Sequence, residues 1–332
     1  MPTIHSRNLA LWGLLTLLIL SFIFSLFLGR YPEPGLISPQ RIIQDTLAQQ
    51  LVFNLRLPRI ISAVLLGMVL STAGTIFQMI FGNPLVEPGF LGVSQGAAFG
   101  TAFGIIFLGN AAWLIQVTAA IFALSGLALS YFVARRIHFG GWVLRLVLSG
   151  IVISALFSAG LGILKYLADP LSQLPEITFW LLGGLWGITW ERLSSISIIV
   201  VLSLIFLFLM RWRINLLSLN DETSHSLGIT PGKERSLLLL VATIATAAVI
   251  SVSGMVGWVG LIIPHIARRL FGADARYSLP AAMLIGGLFS LFCDDLARVI
   301  LPGEIPLGIL TAFLGATIFL ILMIRQTLSI PK

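Results

Sequence analysis

Long apolar runs alternate with short polar interruptions along the whole chain, and most runs have the length of one bilayer crossing. They lie near residues 9 to 28, 60 to 81, 91 to 108, 111 to 134, 142 to 167, 193 to 212, 236 to 253, 255 to 266, 279 to 300 and 306 to 324. An α-helix needs about 20 apolar residues to cross a hydrocarbon core about 30 Å thick, and none of the runs shows the strict alternation of a barrel strand. The pattern predicts an all-α integral membrane protein, a polytopic bundle of about ten transmembrane helices with short broken helices among them. The run at 255 to 266 is too short to cross alone and Ile177 to Leu185 is shorter still, so both are expected to pack inside protein. Leu9 to Leu28 lacks a small-residue cleavage site and reads as a retained span.

The longest polar interruption runs from Arg211 to Arg235. Asn220, Asp221 and Glu222 are acceptors suited to a helix start and Gly228 suits the position just past a helix end, so Asp221 to Leu227 is expected to form a short helix. Thr230 is expected to cap the next helix, with Pro231 at its first position. Two turns of helix between two spans would make a rigid knob for a soluble partner; a long loop with incidental helix is the plainer reading.

Composition narrows the class. Hydrophobic residues are 58% and charged residues 10% of the chain, with a mean hydropathy of +1.02, values outside the soluble globular range. The net charge of +7 does not point to nucleic acid, because the basic residues sit singly or in pairs at the ends of apolar runs, where they orient a membrane protein. With both termini in the cytoplasm, Arg30, Arg41, Arg56, Arg59, Lys165, Arg192 and Arg298 fall outside and the other thirteen of the 20 basic residues inside. Seven outside is more than the positive-inside tendency leaves without a reason.

Gly96, Gly100 and Gly104, and likewise Ser154, Ser158 and Gly162, recur every four residues, which places two spans inside the bundle by close packing or along a moving pathway. Gly254, Gly257 and Gly260 ahead of Pro264 predict irregular backbone, tolerated at membrane depth only within protein or beside a cavity. Cys293 is the only cysteine, so neither an intrachain disulfide nor a thiolate cluster can form. His265 has no second ligand at helical spacing and is expected to hydrogen-bond at a helix end rather than hold a metal. Asp294 and Asp295 are expected near the outer interface, where solvation is cheap, paired with Arg298 at i+4 or i+3. GITPGKE at 228 to 234 has one residue too few between its glycines for a phosphate loop and no Ser or Thr after Lys233. The spans show no mid-depth acid for an ion-driven transporter and no converging catalytic set for an intramembrane enzyme.

Six blocks carry a family resemblance: RLPR at 56 to 59, GNPLVEPGFLGVSQGA at 82 to 97, SLGI at 226 to 229, GWVGLIIPHIARRLFGADARYSLP at 257 to 280, DLAR at 295 to 298 and EIPLGILTAFLG at 304 to 315. In order and spacing they resemble the FecCD permeases of bacterial ABC importers for iron chelates, haem and cobalamin. Thr317 stands where the family usually has proline, so the last span should bend less. The resemblance implies a single permease domain over 1 to 332 in the inner membrane, dimeric around a translocation path, with two ATPase subunits below and a periplasmic binding protein above. The partner ATPase would bind ATP and Mg, leaving this chain without cofactor, metal or catalytic residue. It implies that the cytoplasmic segment about 213 to 235 seats in the ATPase through Leu216, Leu219, Asp221, Glu222, His225, Leu227 and Gly228. Arg56, Arg59 and Arg298 would dock the binding protein, with contact to lipid phosphates as the plainer reading. Asn83, Pro84, Leu85, Gly140 and Gly141 would form gate regions, although Asn-Pro and Gly-Gly also make ordinary turns, and Gly96 and Gly100 would border the pathway. A ferric siderophore is the first expectation for cargo, with cobalamin, haem or an oxyanion such as molybdate as alternatives; an ion-gradient-driven secondary transporter is the rival class.

Overall fold

The computed structural model describes residues 4–31, 33–109, 111–219 and 221–327. Helix α1 (Ile4–Phe27) leads into a two-residue antiparallel hairpin, β1 (Leu28–Gly29) and β2 (Gly35–Leu36), with Leu28 opposite Leu36. Side chains start the next two helices: Ser38 Oγ accepts from the Arg41 N–H ahead of α2 (Pro39–Gln44), and Asp45 Oδ1 from the Leu47 N–H at 2.9 Å ahead of α3 (Thr46–Gln50). A π-helical turn, Leu51–Arg56, carries α3 into α4 (Leu57–Phe81), making one continuous helix of 36 residues. It stops at Gly82, whose φ of 59° ends the helix in the left-handed region.

After a one-turn 3-10 helix, Pro88–Leu91, come α5 (Val93–Phe103) with a π-helical extension to Leu108, α6 (Ala112–Arg136), α7 (Trp142–Leu167), α8 (Gln173–Leu182) and α9 (Trp190–Leu209). Two short helices, α10 (Arg211–Leu217) and α11 (Asp221–Ser226), precede α12 (Pro231–Ser253), α13 (Val259–Phe271), α14 (Ala275–Val299) and α15 (Leu307–Thr327). Among the described residues eight helices are long and apolar enough to span a membrane, and α5 with its extension and α13 are the short remainder of the ten expected runs. The eighth run, predicted over 255 to 266, is shifted at both ends: α13 starts at Val259, behind a non-helical stretch in which Gly254 and Trp258 have φ of 66° and 71°.

Helix α4 is the axis of the bundle and packs most extensively against α14, then α12 and α13. Glycine makes this approach possible: a Cβ on Gly67 would lie 2.0 Å from Gly286 O of α14, and one on Gly74 1.9 Å from Gly260 O of α13. The second expected small-residue helix is placed differently. On α7, Ser158 and Gly162 are exposed and Gly162 has no neighbour for a Cβ within 4 Å. The large side chains that α7 buries, Leu146, Ile153, Leu161 and Leu164, lie to one side of this stripe, which runs from half-buried Ser154 to the open positions Ser158 and Gly162. Helix α15 runs unbroken past Thr317, whose hydroxyl donates to Phe313 O at 2.7 Å.

Candidate functional site: the two polar ends of the bundle

The polar segment after α9 folds into a knob fixed by its own backbone. Gly228, φ 80°, closes α11: the Ile229 N–H donates to Ser224 O at 3.1 Å and the Gly228 N–H to His225 O at 3.0 Å, the paired bonds of a Schellman C-cap. Ser224 Oγ donates to Leu216 O at 2.7 Å and ties α11 back onto α10. Leu216 is half-buried against the core, while Leu219 and Leu227 are 42% and 54% exposed beside exposed Glu222 and His225. The helix ends at Ser226, one residue before the expected Leu227. Thr230 makes no side-chain cap at α12, where Pro231 occupies the first turn and removes one N–H that would need capping. Asn220, expected at the start of α11, lies outside the described residues.

Two residues without an expected role moor the knob. Arg235 donates to Leu217 O at 2.9 Å and pairs with Asp221 at 2.8 Å. Asn215 takes both roles at the start of α14, donating to Asp274 Oδ1 and accepting from the Ala275 N–H, each at 2.7 Å. The Arg276 side chain, with its backbone N–H and the Asn215 amide, holds the Asp274 carboxyl at about 2. Neither Asn215 nor Arg235 shows in a linear pattern, because their partners lie on other helices.

At the same end, Asn83 Oδ1 accepts from the Leu85 N–H at 2.9 Å and Pro84 O bonds His265 Nε2 at 3.0 Å. His265 therefore holds the turn after α4, not the end of its own helix. Gly140, φ 74°, and Gly141, the N-cap of α7, form the second turn, and the Phe81 ring stacks on Trp142 at 6.3 Å, so the two turns are neighbours. Gly96 and Gly100, expected beside the pathway, are buried helix contacts: a Cβ would meet Phe122 O at 2.3 Å or Thr118 O at 2.5 Å on α6.

Arginines gather at the far end of α14, about 37 Å away at 1.5 Å per residue. The expected outward-facing charges are not what the structure holds: Arg56, Arg59 and Arg298 are buried, with 9%, 8% and 7% exposure. Arg59 donates to Asp294 Oδ1 at 2.9 Å and, through Nη1, to both Glu304 oxygens at 3.0 and 2.9 Å. Arg298 Nε lies 3.1 Å from Asp294 Oδ2, too misaligned for a hydrogen bond, and Nη2 bonds Asp295 and Ser25. Arg56 donates to Leu26 O at 3.2 Å. The expected i+3 and i+4 pairing is present, but Asp294 is fully buried in protein rather than open to solvation, and two arginines compensate it.

Between these ends, Glu87, Ser94, Gln95, Ser154 and Thr246 line a cavity of about 320 Å³ together with Leu70, Ile250 and Gly257. An acid before a proline reads as a turn residue, so the sequence hides this one at the level of mid-helix Leu70.

A model of the FecCD transport family matches residues 17–325, nearly the whole of the described bundle. The chain belongs to the FecCD transport family. This ABC permease is 37% identical to the molybdate import permease MolB of Haemophilus influenzae over 95% of both chains. It is 38% identical to the hemin permease HmuU of Yersinia pestis, covering 82% of this chain and 83% of that one. A metal-chelate type ABC transporter solved in an inward-facing conformation superposes with a TM-score of 0.89 at 37% identity, covering 96% of the permease and 99% of that chain.

Proposed function

We propose that the chain is the inner-membrane permease subunit of an ATP-driven importer for a metal chelate, a ferric siderophore in the first instance. The observation that carries this reading is the Schellman-capped knob α10–α11, which displays Leu219, Leu227 and His225 at one end of a helical bundle without a phosphate loop of its own. A separate ATPase subunit grips the knob and supplies the energy. The exposed small residues Ser158 and Gly162 of α7 and the little-buried α15 seat a second copy of the chain, which completes the path. Both termini and the knob face the cytoplasm, and the turns at Asn83–Leu85 and Gly140–Gly141 act as gates. Arg56, at the mouth of the far end, meets a substrate-delivery protein together with Arg59 and Arg298. Hemin and molybdate relatives support the chelate and oxyanion class, and a panel of ferric siderophores, haem, cobalamin and molybdate separates the cargoes.

Uptake into proteoliposomes holding the permease, its ATPase and the delivery protein is expected to require ATP and to survive collapse of ion gradients. Uptake that follows a proton or sodium gradient without ATP overturns the reading in favour of a secondary transporter.

A further inference from the structure

The far end of α14 opens into a cavity of about 490 Å³ whose lining includes Arg30, Arg56, Arg59, Arg298 and Glu304. Four guanidinium groups thus face one carboxylate. Asp294 and Asp295 lie beneath them and are engaged by Arg59 and Arg298. Arg30 and Arg56 donate to the carbonyls of Val299 and Leu26, and among the described residues neither has a carboxylate within 4.0 Å.

Glu304 differs from the buried acids. It grips Arg59 Nη1 with both oxygens, yet its side chain is 37% exposed and its φ is 41°, in a region L residues rarely adopt. Left-handed backbone at a residue with a side chain persists only where surrounding contacts hold it. The loop that carries it leads directly into α15: the Ile305 N–H donates to Ala297 O at 3.1 Å, and the Gly308 N–H to Gly183 O at 3.3 Å beside the end of α8.

We propose that Glu304 is an internal stand-in for the delivery protein. Its carboxylate occupies Arg59 in the free permease. When the delivery protein docks, one of its acidic side chains enters the cavity, is met by Arg56 and takes Arg59 from Glu304, which frees the loop at 301–306 and the start of α15. The inference rests on the docking reading above and adds the residue that docking displaces. Exchanging one carboxylate for another leaves no buried guanidinium unpaired, because Arg59 keeps Asp294 throughout. Such an exchange suits fast, reversible docking better than a new ion pair formed from two solvated charges.

The test uses the permease–ATPase complex in lipid nanodiscs, with association of the delivery protein followed by surface plasmon resonance and basal ATP hydrolysis measured in parallel. Glu304→Gln removes the competitor, so the delivery protein is expected to bind about tenfold tighter, with basal hydrolysis raised. Glu304→Gly should do the same, since glycine accepts a φ of 41° and keeps the loop folded. Arg56→Gln should weaken association. If Arg56→Gln weakens association while both Glu304 variants leave it unchanged or weaker, the exchange is wrong and the docking reading stands. If Arg56→Gln leaves association unchanged, the docking reading falls and the exchange falls with it.

Discussion

The two ends of α14 handle charge in opposite ways. At the knob each ion pair has one partner open to solvent: Asp221 is 66% exposed against 13% for Arg235, and Arg213 50% against 18% for Glu234. The shape of the knob depends on backbone caps, and its exposed side chains include apolar ones. At the far end Arg59, Arg298 and Asp294 form a buried cluster in which every charge depends on the others. A surface assembled from local caps can present a fixed shape to a permanent partner. A buried cluster with a single half-exposed acid is poised to exchange partners. One rigid helix joins them, clasped to α4 where Gly67 and Gly286 leave no room for a side chain.

That contrast predicts a graded series of losses. Asp294→Ala leaves two buried guanidinium groups short of a partner and should destabilise the permease by about 3 to 5 kcal/mol, read as thermal unfolding of the detergent-solubilised protein. Replacing Arg59 and Asp294 together by Met and Leu should recover much of that loss, and a double variant no better than the single one would show that the cluster is not coupled. Next in size, Gly228→Val forces a branched residue to a φ of 80°, costing roughly 1 to 2 kcal/mol. It should re-aim α11, so that the protein inserts normally but delivery-protein-stimulated hydrolysis and uptake fall together. Asp221→Ala, by contrast, removes the solvent-exposed partner of Arg235, which keeps its bond to Leu217 O, and should change stability by only about 1 kcal/mol.

A further effect is set by pH. With Asp274 held at about 2, below its unfolded value, the cap it provides is complete above about pH 4 and is lost as pH falls towards 2. An Asp274→Asn variant should therefore lack that acid-side step in melting temperature. An unchanged step would assign it to another carboxylate.

The same contrast explains what could be read from the chain alone. The knob was legible because its signals are local: acids at 221 and 222, glycine at 228 and proline at 231 sit within a dozen residues. Ten apolar runs and the irregular stretch before Pro264 were legible for the same reason, as length and backbone permissiveness need no distant partner. The far end was misread as a set of exposed arginines. Arg59 meets Asp294 across 235 residues of sequence and Glu304 across 245, and no periodicity announces such a meeting. Asn215 was missed likewise, as its partners begin another helix. The stripe on α7 was read as a face packed inside the bundle, yet Ser158 and Gly162 are exposed in this chain, because spacing says that a surface is smooth and not whether a helix covers it.

The central claim is that the α10–α11 knob is gripped by an ATPase, and the chain offers a direct way to test it. Its only cysteine, Cys293, is fully buried, so Leu227→Cys places one accessible thiol at the tip of the knob. In the assembled transporter, a short thiol-to-amine reagent is predicted to join this position to the ATPase subunit, giving a one-to-one adduct that is lost when the complex is dissociated before the reagent is added. A complex that hydrolyses ATP and imports cargo, yet yields no adduct from Leu227→Cys while the thiol remains open to a small maleimide, would contradict the account.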